Sequence, residues 1–170
     1  TSSLLKELIE SGLDAHDAMQ TINGLYILRD GGGFAAIDLL QVSLVTAEGF
    51  LHKWGAAPSF LKFGRTLQRL GSPQPPPGLG VGRNYGPACI RLSLQRGEAL
   101  VLTSDGVDAA MAERYLQNCG ELPVRELAAG VVASSEEAAP DDRTAAVLRL
   151  RLTGAQSRTK KRLLSHVSLF

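Results

Sequence analysis

The sequence predicts an α+β sandwich, antiparallel strands flanked by helices, and three observations carry that prediction. Helical periodicity is confined to the first segment, up to Arg29, and to the region after Asp108. Between them the apolar residues alternate in short runs broken by Gly and Pro. Strands and helices never alternate strictly, as a parallel doubly wound sheet would require.

In "SLLKELIE", Leu4, Leu5, Leu8 and Ile9 fall on one side at helical spacing, and Gly12 is a natural stop. Asp14 can cap a second helix with Asp17 in its acidic first turn. Its apolar stripe is Ala18, Met19, Ile22, Leu25 and Tyr26, and "RDGGG" ends it. Both helices read as covers for a sheet.

From Phe34, "FAAIDLLQVSLV" alternates in two phases, which predicts a bulge or a strand buried on both faces. "FLHKW", "SFLKF" and "TLQRL" follow on tight turns and read as an antiparallel meander. Ser72 to Pro87 holds too many prolines and glycines for a helix or a central strand. Its "GLGVG" lacks the spacing of a dinucleotide or P-loop fingerprint, and no helix follows it. "IRLSLQ" and "EALVLTS" are further strands, the second buried on both faces. "AAMAERYLQNC" and "PVRELAAGVVASS" are helical, with Pro123 suited to a first turn. "TAAVLRLRL" is the last strand of a unit covering residues 1–152, and residues 153–170 read as a flexible basic and apolar tail.

With 170 residues, 44% hydrophobic and 21% charged, the chain suits one globular domain. A net charge of +1 gives no general electrostatic case for nucleic acid or an anionic membrane. No apolar run approaches bilayer length. Cys89 and Cys119 stand outside any zinc or disulfide pattern and read as small buried or half-buried side chains in a reducing, cytoplasmic setting. Residue 1 is Thr, and the sequence opens as if already inside a helix, so an N-terminally truncated piece is expected.

Three constellations are candidates for chemistry. His16, His52 and His166 sit in no nucleophile–base motif and read as exposed or satisfied. A glycosidase-type pair has nothing beyond two acids behind it. The third is a hard-metal site. Asp105 ends one buried strand and Asp141 precedes another. If those strands are antiparallel neighbours, both carboxylates reach one sheet edge, and oxygen donors without His or Cys favour Mg²⁺ or Mn²⁺. Gly106 would let the backbone turn sharply beside the ion, although Asp-Gly is also a common turn dipeptide.

"LVLTSDGVD", followed by "DDRTAAVLRL", resembles the last two motifs of the metal-dependent, type-2C-like protein serine/threonine phosphatases (the PPM family). "TIN", "AAIDL", "KWGAAPSFLK" and "RGEALVLTSDG" resemble the sporulation stage II protein E (SpoIIE) branch in order and spacing over residues 1–152. The resemblance implies an antiparallel β-sandwich in α-β-β-α layers, incomplete here at the N-terminus, with two Mn²⁺ or Mg²⁺ ions in the complete domain. It implies metal ligation by Asp105 and Asp141, with Gly106 and Asp142 near the metal. It gives no role to Asp108, which stands one residue early for the family acid. No residue matches the family's first metal motif, Asp-Gly-Met-Gly, so the chain alone is expected to bind metal weakly.

The activity implied is hydrolysis of phosphoserine or phosphothreonine by metal-activated water. The implied substrate is a phosphorylated anti-sigma factor antagonist in sporulation sigma factor regulation. A cytoplasmic domain of a membrane protein, attached through an N-terminal region, and a homodimer are compatible arrangements. The alternative is a non-catalytic, phosphatase-like protein-binding module.

Overall fold

Leu5 buries itself from the helical stripe of the first segment, and Asp14 caps the next helix as its chemistry dictates. Its carboxylate accepts from the amides of His16 at 2.8 Å and Asp17 at 3.4 Å. The computed structural model describes residues 1–29, 33–71, 73–79, 86–135 and 141–150, with the backbone of 164–169. Its elements are α1 (Ser2–Glu10), α2 (Ala15–Leu28), β1 (Ile37–Ser43), β2 (Glu48–Trp54), β3 (Ser59–Phe63) and β4 (Thr66–Leu70), followed by β5 (Ala88–Ser93), β6 (Ala99–Thr103), α3 (Ala109–Asn118), α4 (Val124–Ala133), β7 (Ala145–Arg149) and β8 (Leu164–Leu169).

The chain divides into two compact units. The first comprises Thr1–Ala56, Ser72–Leu92 and Leu164–Phe170. Its sheet has the order β5-β2-β1-β8. β1 pairs antiparallel with β2 from Ile37↔Trp54 to Val42↔Gly49. Ile37, Leu39 and Trp54 pack against Leu5 of α1 and Ala15, Ala18, Met19 and Ile22 of α2. Because Asp38, Leu40 and Val42 are buried as well, β1 is covered on both faces, which explains its two-phase pattern.

The second unit comprises Ala57–Gly71 and Ser93–Leu163, with the sheet order β4-β3-β6-β7 and antiparallel pairing at β3–β4, β3–β6 and β6–β7. Every residue of β6 is buried. Phe60, Ala99, Val101 and Val107 form a core with Ala112 and Leu116 of α3 and Leu127 and Val131 of α4. Lys62, although charged, is only 3% exposed. Its ammonium donates to Leu116 O at 2.6 Å, Gly64 O at 2.6 Å and Cys119 O at 3.0 Å. It thereby satisfies carbonyls at the C-terminal end of α3, where positive charge is favoured.

Several expectations are revised. The meander breaks after β2, because β2 and β3 belong to different sheets. Within the stretch read as a tail, Leu164–Leu169 pairs with β1 from Ser43↔Leu164 to Asp38↔Leu169. Pro123 is the N-cap of α4, one position before its first turn. Cys89 is exposed, and Cys119 is half-buried. His52 is buried, and its Nδ1 has no hydrogen-bond partner among the described residues. Of the "GLGVG" loop, residues 80–82 lie outside the described residues, as do 151–152 at the end of the last expected strand and 153–163 of the tail region.

Candidate functional site

β6 and β7 run antiparallel as neighbours and close on the pair Thr103↔Ala145. Asp105 leaves the end of β6, and Asp141 and Asp142 lead into β7, so the ladder brings both acidic segments to one end of the second unit's sheet. This is the arrangement on which the hard-metal reading depended.

The two segments are tied together beyond the last strand pair. Ser104 N donates to Thr144 O at 2.9 Å. Thr144 N donates to Ser104 Oγ at 2.9 Å, and that hydroxyl donates to Asp142 O at 3.4 Å. Val107 N closes the turn by donating to Ser104 O at 3.1 Å. Asp105 and Gly106 are the middle of that turn. Gly106 is buried, and a Cβ there would lie 2.3 Å from Asp142 O. The Asp-Gly is therefore a turn and also a point of backbone contact with the other acidic segment.

Val107 anchors the far side of the turn in the core. Asp108 caps α3, its carboxylate accepting from Met111 N at 2.8 Å. Its own amide donates to Ser135 Oγ, a fully buried hydroxyl, at 3.0 Å. This structural employment explains why Asp108 need not act as a ligand. An Asp followed by "AAMAERYL" carries the capping signal in the sequence, whereas Ser135 carries none.

Asp105, Asp141 and Asp142 are all exposed. Asp141 Oδ1 accepts from Asp142 N at 2.8 Å. None of the three carboxylates has an ion pair among the described residues, although Arg143 stands next in the chain. An exposed carboxylate on each of the two joined segments leaves oxygen donors open to a divalent cation. The all-oxygen donor set suits Mg²⁺ or Mn²⁺. The set is incomplete: among the described residues, no group of three or more His, Cys, Asp or Glu could hold a metal ion. Nor is any helix among them long and apolar enough to cross a membrane.

Comparison with known proteins bears on the family and the fold. A family model described as Stage II sporulation protein E (SpoIIE) matches residues 1–158. The Stage II sporulation protein E of Bacillus subtilis (strain 168) is 30% identical over 108 residues, which cover 63% of this chain and 13% of that protein. The chain thus spans a small part of that relative's length. The solved PP2C phosphatase domain of B. subtilis SpoIIE, with a fragment of its regulatory domain, superposes with a TM-score of 0.70 at 24% identity. The match covers 86% of this chain and 47% of that one. A manganese-presoaked structure of the same phosphatase domain gives a TM-score of 0.62 at 24% identity, covering 91% of this chain and 73% of that one. These likenesses establish a PP2C-type fold of helices and antiparallel sheets.

Proposed function

The chain belongs to the Stage II sporulation protein E family, and from that premise we propose that it carries part of the catalytic centre of a metal-dependent protein serine/threonine phosphatase. The observation that supports this most is the joining of the Asp105 turn to the Asp141–Asp142 segment at one sheet end, without a paired cation among the described residues.

Asp105 and Asp141 would hold a divalent cation by their carboxylates, and Gly106 keeps the backbone close enough for the two segments to share it. Asp142 would act from outside the ligand set, through its main-chain carbonyl and its charge. Mn²⁺ or Mg²⁺, when bound, supplies charge neutralisation for a phosphoryl group and lowers the pKa of a water molecule for attack on phosphorus. The manganese soak of the similar phosphatase domain supports that choice of cation class. The proposed substrate is a phosphoserine or phosphothreonine in an anti-sigma factor antagonist, a reading supported by family membership alone. Sigma factor regulation and attachment to a membrane through further sequence belong to the same proposal.

One observation favours a second reading, a phosphatase-like module that binds a protein without hydrolysis: among the described residues no group of three or more His, Cys, Asp or Glu could hold a metal ion. Mn²⁺-dependent hydrolysis of a phosphoserine protein separates the two. It would be assayed with this chain and with a chimera carrying the family's Asp-Gly-Met-Gly motif upstream, each with and without Asp105→Asn. An active chimera silenced by Asp105→Asn supports the phosphatase. A folded chimera that captures the phosphoprotein without Mn²⁺-dependent turnover overturns it in favour of the module.

A further inference from the structure

We propose that the outer edge of β1 is a strand-docking site and that a second copy of this chain supplies the strand, β8 being exchanged between two copies in a symmetric dimer. The inference is independent of the phosphatase reading. β1 is poorly suited to stand at a sheet edge. Its Ile37, Asp38, Leu39, Leu40 and Val42 are all buried. On the side away from β2 it is paired to β8 alone. Bare, that side would present a row of unpaired amides and carbonyls beside apolar side chains, a template on which another strand assembles.

The strand that fills this edge comes from the far end of the sequence. β8 pairs with β1 over six consecutive residues, from Ser43↔Leu164 to Asp38↔Leu169, and lies against α1. Both contacts belong to the first unit, whereas residues 93–163, which lead to β8, belong to the second. β8 thus has no strand neighbour in the unit it arrives from. An end segment attached in this way is the kind that domain swapping exchanges. The connection 150–163 carries Arg151, Arg158, Lys160, Lys161 and Arg162 and no acid, and a linker charged with one sign resists compaction. A second copy offers the identical strand and meets the same register, whereas an unrelated chain would have to reproduce it. Exchange keeps every β1–β8 pair and makes the contact reciprocal, as two-fold symmetry requires.

The test uses the 170-residue chain with Cys89→Ser and Cys119→Ala, so that no native thiol competes. One sample carries Gln41→Cys and another, isotopically labelled, carries His166→Cys, at positions that are Cα partners in the register. Antiparallel partners stand about 4.5–5.5 Å apart at Cα, within reach of a disulfide. After mixing and oxidation, the expected product is a covalent heterodimer linked 41–166, identified by peptide mass. Its yield should rise between about 20 µM and about 500 µM, as mass action requires. Gln41→Cys mixed with Ser168→Cys, two residues out of register, should give roughly tenfold less. His166→Pro removes a ladder amide and should leave the chain monomeric in sedimentation velocity where the wild type dimerises. If Gln41→Cys does not fold, Ser43→Cys with Leu164→Cys takes its place. Both cysteines are also placed in one chain. Crosslinking only within that chain, with no heterodimer from the mixture, overturns the exchange and leaves β8 closing its own sheet. Absence of the 41–166 disulfide in both experiments overturns the docking edge itself. A wild-type dimer that survives His166→Pro places the interface elsewhere and overturns the proposal as well.

Discussion

Lys53 Nζ donates to both carboxylate oxygens of Asp38, at 2.6 and 2.8 Å, across the β1–β2 register, and both side chains are buried. Burial pulls the Lys53 ammonium below its ordinary pKa, while the charge and hydrogen bond of Asp38 oppose that pull. Desolvation therefore outweighs the attraction, as expected of an ion pair withdrawn from water. The consequence is an asymmetry between removing one partner and removing both. Asp38→Asn or Lys53→Met strands a buried charge and should cost about 3–5 kcal/mol. The double variant Asp38→Leu with Lys53→Met removes both charges and should be more stable than either single variant. Urea unfolding midpoints of the variants give the comparison, and additive losses in the double would contradict it.

Gly106 is expected to be intolerant of even one added carbon. A Cβ there would sit 2.3 Å from Asp142 O, a backbone atom that cannot move aside without shifting the acidic segment. Gly106→Ala should destabilise the chain by about 1–3 kcal/mol, the usual scale of overpacking. It should also weaken Mn²⁺ binding, because the displaced backbone belongs to the proposed ligand segment. Gly120 is the matched control: a Cβ there meets nothing within 4 Å. Thermal unfolding and Mn²⁺ titration of Gly106→Ala and Gly120→Ala should separate clearly, and equal behaviour would remove the close approach from the argument.

The elements that were legible in the sequence are those whose signals are local. Asp14 announces α2 within three residues, and the run Ala99–Thr103 announces a strand buried on both faces. Asp105 and Asp141 were legible as strand-end acids, and the antiparallel β6–β7 pairing supplies the condition that makes them neighbours. What the sequence hid depends on distant partners. β2 and β3 look like successive strands of one meander, because the residues between them do not encode which sheet each joins. β8 lies beyond a basic run with no strong alternation, and its strand state depends on the edge of β1. Lys62 reads as the polar member of an alternating strand, yet its carbonyl partners at Leu116 and Cys119 are more than fifty residues away. Ser104 likewise looks like an ordinary strand-end serine until Asp142 and Thr144 arrive beside it.

His52 gives the first unit a pH dependence whose sign follows from its surroundings. It stands on β2, buried, with Nδ1 lacking a hydrogen-bond partner among the described residues. Burial lowers its pKa below the ordinary 6.5; Asp14 pulls the other way, and His16 adds to the lowering. The folded chain therefore holds His52 neutral where the unfolded chain already takes up a proton. Its contribution to stability is complete above about pH 6.5 and is lost progressively as pH falls towards the lowered folded value. The readout is the difference between wild type and His52→Leu, which cancels the contributions of the other groups. Between about pH 7.5 and about pH 5, the wild-type urea midpoint should fall more steeply than that of the variant. Parallel slopes would show that His52 takes up its proton equally well folded and unfolded, and would place the pH sensitivity elsewhere.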